Sequence, residues 1–245
     1  MQSPELIVEN LCRKFGGLSA INNLSLSVNE GEILGLIGPN GAGKTTTFNL
    51  ITGFLRPDRG KIVYQGKDIS ALMPHEICKL GMTRTFQLAK PMYGMTIIEN
   101  VLVGALNKKT TVKDALELSE DILKFLGLEK FKKVIADNLP IGYHKLLELA
   151  KCLATQPKLL LLDEVMSGLN PSEMDLLLDK ILAIRSKGVS VFLIEHVMEA
   201  VTYVSDRIIV LNYGEKICEG TPNFVINDHR VIEAYLGDEF TSTKS

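Results

Sequence analysis

The residues with the clearest chemical pattern are 38–45, which read GPNGAGKT and match the phosphate-loop pattern G-x-x-x-x-G-K-S/T. A short apolar run over 32–37 precedes them, and residues 46–53 carry apolar side chains at helical spacing and end on a glycine. The pattern requires this order of strand, loop and helix. Glycines let the backbone approach phosphate oxygens, so that successive N–H groups and the helix N-terminus form an anion site.

This loop predicts binding of nucleotide phosphates. Lys44 is expected to reach the β- and γ-phosphates, and the Thr45 hydroxyl is expected to bind a magnesium ion. A chance glycine turn followed by a lysine is the alternative, which the correct flanks on both sides disfavour. The predicted binding residues are Gly38, Pro39, Asn40, Gly41, Ala42, Gly43, Lys44, Thr45 and Thr46.

A pair of carboxylates forms a second chemical element. Residues 159–164 read LLLLDE, so an apolar strand brings Asp163 and Glu164 to its C-terminal end, where ligands of parallel sheets bind. Asp163 can hold magnesium through its water shell, and Glu164 can polarise an attacking water. A strand that ends in two solvated acids is the plain alternative. The phosphate loop favours the catalytic interpretation, because phosphoryl transfer needs a metal holder and a group that orients water.

The composition is typical of a globular protein with a sizeable core. Its 245 residues are 46% hydrophobic, and no apolar run approaches the ~20 residues of a membrane helix. The N-terminus lacks the pattern of a secretion signal, so we expect a cytoplasmic chain. A net charge of −2 gives no basic field, and we expect no nucleic-acid partner. The scattered cysteines are typical of reduced thiols: Cys12, Cys78, Cys152 and Cys218.

Strands and helices alternate around these groups. Apolar stretches over 6–11 and 21–28 predict two strands packed beside the phosphate-loop strand, with a loop over 13–17 between them. Further strands are predicted over 61–64 and 82–86. Between 91 and 157 apolar side chains recur three and four apart, which predicts a helical insertion. Its helices span 96–106, 112–126 and 141–154.

After this insertion strand and helix alternate again, which predicts a parallel α/β core. The predicted strands span 159–163, 190–194 and 207–211, and the predicted helices span 172–187 and 198–204. Residues 241–245 form a polar tail that we expect to be disordered.

Four further features, taken together with these motifs, resemble the ATP-binding subunits of ABC transporters over nearly the whole chain. Gln87 in MTRTFQ is similar to the family's glutamine loop, which implies sensing of magnesium and of the membrane subunit. His196 in LIEHV resembles the switch histidine that contacts the γ-phosphate, and residues 167–170 stand where the family has its dimer-contacting loop. Phe15 resembles the aromatic residue on which adenine stacks.

The fold class that we expect is therefore α/β: a P-loop nucleoside-triphosphatase core with a mostly parallel sheet, an N-terminal antiparallel β subdomain and an inserted helical subdomain. The discontinuous core is predicted to take residues 1–90 and 158–240, and the helical subdomain residues 91–157. The resemblance implies ATP and Mg²⁺ as ligands. It assigns catalysis to Glu164, His196 and Gln87, and the metal to Thr45, Gln87 and Asp163.

One motif departs from the family. Residues 139–143 read LPIGY, where the family has LSGGQ, and Pro140 offers neither the hydroxyl nor the N–H of the family's serine. That serine donates to the γ-phosphate of ATP held by the opposite subunit. The helix over 141–154 would still present its N-terminus and the Gly142 amide to the partner-site ATP. We expect reduced but real activity; an inert protein that binds ATP without turnover is the alternative. Val165, where the family has proline, is a milder departure.

The single phosphate loop implies partners. The family sandwiches two ATP molecules head to tail, so this chain needs a second ATPase subunit, identical or related, together with transmembrane permease subunits and, indirectly, a solute-binding protein. The expected location is the cytoplasmic face of the membrane.

Short segments suggest a branch of the family. Residues 84–87 (RTFQ), 95–104 (MTIIENVLVG) and 234–237 (AYLG) resemble importers of branched-chain amino acids and related amides. An ATPase of the lipopolysaccharide-export type is the alternative, and a soluble ABC protein that acts on ribosomes or in DNA repair is another. The latter generally carry two cassettes or a long coiled coil, which this sequence lacks.

Overall fold

A six-stranded sheet and a four-stranded sheet form the framework of the chain, of which the computed structural model describes residues 4–87 and 90–242. The larger sheet has the order β10-β9-β3-β8-β7-β6. Its strands are β3 (Ile33–Ile37), β6 (Met82–Arg84), β7 (Leu159–Asp163), β8 (Ser190–Ile194), β9 (Arg207–Asn212) and β10 (Glu215–Gly220). All neighbours are parallel except β10, which runs antiparallel to β9. The central strands are fully buried, as their continuous apolar runs predict.

The four-stranded sheet is antiparallel, with the order β2-β1-β4-β5. Its strands are β1 (Pro4–Phe15), β2 (Leu18–Asn29), β4 (Arg59–Tyr64) and β5 (Lys67–Asp68). The predicted loop over 13–17 is wrong in part, because β1 continues to Phe15 and the chain reverses at Gly16, where φ is 58°. The inner face of this sheet shares one apolar cluster with the larger sheet, in which the Phe48 and Phe192 rings lie 4.9 Å apart.

A helical region, residues 91–157, contains α3 (Ile97–Ala105), α4 (Val112–Leu126) and α5 (Ile141–Ala154). Two short 3-10 helices, Glu129–Phe131 and Ala136–Asn138, connect α4 to α5. Thr111 caps α4 by accepting the Asp114 N–H, and the helix ends at Gly127, whose φ is 77°. The buried side of the region belongs to the same apolar cluster as Leu160 and Leu162 of β7. The helices are therefore anchored on the strand that ends in Asp163.

The other helices flank the two sheets. They are α1 (Lys44–Ile51), α2 (Pro74–Leu80), α6 (Pro171–Ser186), α7 (Met198–Val204), α8 (Pro222–Val225) and α9 (His229–Ser242). Helix α9 takes in Thr241 and Ser242, the first two residues of the predicted tail. Residues 243–245 of that predicted tail lie outside the described residues. Within the described part of the chain, no helix is long and apolar enough to cross a membrane.

Candidate functional site

The phosphate loop connects β3 to α1, and its glycines are required by the backbone. Gly38, Gly41 and Gly43 have φ of 150°, 76° and 103°, values that side chains disfavour. A Cβ on Gly38 would overlap the carbonyl oxygen of Leu211, and a Cβ on Gly43 would lie 2.7 Å from the carbonyl oxygen of Ala20. The loop is therefore held tightly between β9 and β2. Helix α1 has no acidic residue in its first turn, so its positive end is not offset there.

Lys44 is folded back onto this loop. Its Nζ donates to the carbonyl oxygens of Gly38 at 2.7 Å and Pro39 at 2.9 Å, and the side chain is buried. The next residue, Thr45, is exposed, as is Asn40, whereas Ala42 is buried and Thr46 half-buried. The loop thus holds its ammonium group among main-chain atoms, at the position where the sequence predicts phosphate oxygens.

Asp163 ends β7 in a buried environment. Its Oδ2 accepts from Arg84 NH2 at 2.6 Å, while its Oδ1 is buried without a hydrogen-bond partner. Burial raises the pKa of Asp163, an effect that the Arg84 guanidinium opposes and the neighbouring Glu164 carboxylate adds to. Thr45, Gln87 and Asp163 line one cavity of about 660 Å³. The structure therefore brings the three predicted metal ligands to one cavity.

Glu164 lies at the centre of a hydrogen-bonded cluster. Its Oε2 accepts from Gln87 Nε2 at 2.6 Å, and its Oε1 lies 2.8 Å from His196 Nε2. Its backbone has φ of 49°, an uncommon left-handed conformation for a residue other than glycine, and its N–H donates to the carbonyl oxygen of Ile194 at 2.9 Å. The structure thus joins the three residues for which the sequence predicts a catalytic role.

Phe15 and Gly142 belong to other parts of the molecule. Phe15 lies at the end of β1; the residue is 44% exposed, and the Arg13 guanidinium lies 5.0 Å from its ring centroid. Gly142 lies in the first turn of α5, and a Cβ there would come within 2.5 Å of Glu173 Oε1. A carboxylate therefore stands beside the helix N-terminus that is predicted to meet a partner's ATP.

Sequence reasoning missed three charged residues at this site. Arg84, which pairs with Asp163, also donates to Asn49 of α1 at 2.5 Å, and its guanidinium lies 5.4–5.9 Å from the ring centroids of three phenylalanines. Those phenylalanines are Phe48, Phe54 and Phe86. The sequence signal for Arg84 was its position at the start of the RTFQ segment.

Lys145, the second missed residue, donates to the main-chain oxygens of Gln87 and Glu164. Its sequence neighbours gave no signal for that role.

The third missed residue, Glu195, precedes His196. It is buried, and its Oε1 accepts the Met166 N–H at 2.9 Å, which ties the end of β8 to the loop after Glu164. Burial raises its pKa from the ordinary 4.5 to about 7, a shift to which the neighbouring Glu164 charge adds. No sequence signal indicated a buried Glu195, because acidic residues are mostly exposed.

The strand order, the phosphate loop between β3 and α1, the antiparallel sheet and the helical region together define a P-loop nucleoside-triphosphatase fold, as predicted. Among solved structures, the ADP conformation of an ATP-binding cassette of an ABC transporter has a TM-score of 0.87 and 33% identity, covering 96% of this chain and 99% of that chain. A nucleotide-free cassette from an ABC transporter also gives a TM-score of 0.87 with 33% identity, covering 95% of this chain and 99% of that one.

The sequence comparisons agree with the structural ones. The model of the ABC transporter family matches residues 21–167, and that of the branched-chain amino acid ATP-binding cassette transporter matches residues 215–241. The high-affinity branched-chain amino acid transport ATP-binding proteins LivG of Salmonella typhimurium and BraF of Pseudomonas aeruginosa are each 40% identical, covering 97% of this chain and 100% of theirs. The chain belongs to the ABC transporter family, and the prediction of an ATP-hydrolysing enzyme is confirmed.

Proposed function

We propose that this chain powers the uptake of branched-chain amino acids or related small polar solutes, as the ATPase subunit of an importer. The full-length similarity to LivG and BraF supports this substrate class, since both are named for branched-chain amino acid transport. The observation that carries the catalytic part is the Glu164 carboxylate held between Gln87 and His196, beside Asp163 at the end of β7.

The nucleotide is held by the phosphate loop. The main-chain N–H groups of the phosphate loop, which Pro39 lacks, and the N-terminus of α1 face the phosphates, and Lys44 exchanges the carbonyl oxygens of Gly38 and Pro39 for phosphate oxygens. Phe15 stacks on the adenine, for which its exposed ring is suited.

A magnesium ion fits the cavity beside this loop. The buried Asp163 Oδ1 lacks a partner, and Thr45 and Gln87 supply neutral oxygens to the same cavity. Thr45, Gln87 and Asp163 would hold the ion, Asp163 through a water molecule. When bound, magnesium neutralises charge that develops on the β- and γ-phosphate oxygens. The Arg84 guanidinium offsets part of the cost of burying the Asp163 carboxylate, although burial still raises the pKa of Asp163.

Hydrolysis is carried by the Glu164 cluster. The Glu164 carboxylate orients the attacking water and accepts its proton. Gln87 and His196 each hold one carboxylate oxygen, which fixes the direction of the group before the water arrives. In the closed enzyme His196 turns to the γ-phosphate, for which its exposed position leaves room.

A second ATPase subunit completes the site. The first turn of α5, with the Gly142 amide, faces the ATP of the partner, and residues 167–170 form the contact between the two subunits. Closure of the two subunits excludes water from the phosphates and couples hydrolysis to movement.

The permease subunits bind beside Gln87. The cavity that begins at Thr45 and Asp163 extends between β6, α3 and α5, where Phe86, Met92 and Val103 line it. Phe54 and Phe86, whose ring centroids lie 5.6 Å apart, are about half exposed next to it. Exposed aromatic side chains beside an apolar groove fit a short helix of a membrane partner. This contact would hold the chain at the cytoplasmic face of the membrane, with a solute-binding protein acting through the permease.

The test is uptake of labelled leucine by cells that lack this subunit. Restoring the wild-type chain, or Lys113→Ala at an exposed control position on α4, should restore uptake, whereas Lys44→Ala should not. Purified wild-type chain and Lys113→Ala should also release phosphate from Mg-ATP, and Lys44→Ala should lose this activity. Phosphate release without any effect on leucine uptake would overturn the assignment of substrate class and leave the ATPase assignment in place.

A further inference from the structure

Lys145 reaches the catalytic cluster from the helical region. It lies in the second turn of α5, and its Nζ donates to the carbonyl oxygen of Gln87 at 3.0 Å and to that of Glu164 at 3.2 Å. These oxygens belong to two separate loops, one after β6 and one after β7. One ammonium group therefore joins three parts of the chain: α5, the Gln87 loop and the Glu164 loop.

The same two loops are also joined by their side chains. Gln87 Nε2 donates to Glu164 Oε2 at 2.6 Å, so that Gln87 and Glu164 are connected both through their side chains and through the Lys145 ammonium group. Two independent connections fix the relative position of the loops more firmly than either alone. A carboxylate that must point at a water molecule depends on such support.

The backbone of Glu164 makes this support necessary. Its φ of 49° is a left-handed conformation that residues other than glycine disfavour. Such a conformation persists where contacts on both sides of the residue determine it. On one side the Glu164 N–H donates to the Ile194 carbonyl oxygen at 2.9 Å, and on the other the Glu164 carbonyl oxygen accepts from Lys145.

We infer that Lys145 is a positioning residue for ATP hydrolysis, which holds Glu164 and Gln87 in their working arrangement and makes that arrangement depend on the position of α5. The inference rests on the proposed catalytic role of Glu164. Lys145 acts through the two carbonyl oxygens and does not contact the nucleotide. A shift of α5 relative to the sheet would release both oxygens at once and loosen the cluster.

The test compares Lys145→Met, which keeps the length of the side chain and removes its charge, with Lys145→Arg, which keeps a cationic donor. Lys132→Met is the matched control, because its ammonium group also lies in the helical region and pairs with Glu120 at 2.7 Å, away from the cluster. We expect Lys145→Met to lower kcat for phosphate release by about tenfold or more with KM for ATP changed by less than about threefold. Lys145→Arg should recover most of kcat, and Lys132→Met should match the wild type.

Two further measurements separate the possible failures. Glu164→Gln, assayed in parallel, tests the proposed role of the carboxylate: if it retained activity, the proposed function would be wrong at this residue. If Glu164→Gln is inactive while Lys145→Met has wild-type kcat, the inference about Lys145 alone is overturned. A rise in KM for ATP without a change in kcat would overturn it as well. Should Lys145→Met melt below the assay temperature, Lys145→Leu replaces it, since it also removes the donor and the charge, and the same outcomes apply.

Discussion

Two regions of the molecule differ in how many contacts within one subunit hold their functional groups. They are the phosphate-loop edge of the large sheet and the N-terminal end of α5. At the sheet edge three functional side chains are held by neighbours: Lys44 by two carbonyl oxygens, Asp163 by Arg84, and Glu164 by Gln87 and His196. Helix α5 has Pro140 at its N-cap, where no side chain caps the helix, and the Glu173 carboxylate lies beside Gly142. The first region is preorganised within one subunit, whereas the second offers only a helix N-terminus.

This difference indicates that the α5 end, more than the sheet edge, depends on a partner subunit. In the proposed mechanism, the phosphate-loop edge binds nucleotide with groups of one chain that are already held near their working positions. In the same proposal, the α5 end acts on the ATP of a second subunit, with one donor fewer than a serine would provide.

The largest effect is expected from replacing Glu164, at the centre of the phosphate-loop edge. Glu164→Gln should lower phosphate release by about 10²–10⁴-fold, because the amide cannot accept the proton of the attacking water. Nucleotide binding should persist, and with Mg-ATP the variant should elute from a size-exclusion column as a stable dimer. Strictly monomeric elution with saturating Mg-ATP would contradict the two-subunit arrangement.

The glycines of the two regions should respond differently to alanine. Gly38→Ala should lower the free energy of unfolding by about 3 kcal/mol, because φ is 150° and the new Cβ would overlap the main-chain oxygen of Leu211. Gly142→Ala should change it by less than about 1 kcal/mol, because only the flexible end of Glu173 must move and alanine favours the helix. Urea unfolding of both variants measures the contrast. Equal losses would mean that the α5 end is as tightly built as the loop.

The buried Glu195 makes the sheet edge sensitive to pH. Its pKa is raised from 4.5 to about 7, so between these values the folded chain keeps a proton that the unfolded chain releases. Wild-type stability should therefore fall as the pH rises through this window. Glu195→Gln retains the acceptor for the Met166 N–H without the charge, and at pH 7.5 it should be more stable than the wild type by about 2 kcal/mol.

The control for this effect is Glu199→Gln, at an exposed position on α7. Its unfolding free energy should follow the pH dependence of the wild type. Parallel pH curves for the wild type and Glu195→Gln between pH 4.5 and 7 would show that the buried carboxylate does not titrate in this window.

The smallest effect is expected from a substitution at the N-terminal end of α5. Pro140→Ser restores a hydroxyl donor, and because a hydrogen bond to a charged group contributes about 1.5–3 kcal/mol, ATP-driven dimerisation should strengthen by about tenfold at the lower end of that range. Titration of ATP into the variant, followed by size-exclusion chromatography, measures the gain. An unchanged dimer fraction would indicate that the Gly142 amide and the helix N-terminus already provide what the missing hydroxyl would add.

Local patterns in the sequence were enough for much of the fold. The buried strands 159–163 and 190–194 and the helices 112–126 and 141–154 have the predicted bounds, because continuous apolar runs and helical spacing depend on near neighbours. Helix α2 and strand β10 were not predicted. Both have short, mixed polar sequences, and their positions depend on packing against distant elements.

By itself the sequence determined which groups could do chemistry: a phosphate loop, an acidic strand end, and Gln87 and His196 at matching places in the chain. Only the tertiary structure decided which charges hold those groups. Arg84 reaches Asp163 across 79 residues of chain, and Lys145 reaches Gln87 across 58. A buried charge needs a partner wherever the fold supplies one, and no pattern of neighbouring residues reveals a partner that the chain brings from so far away.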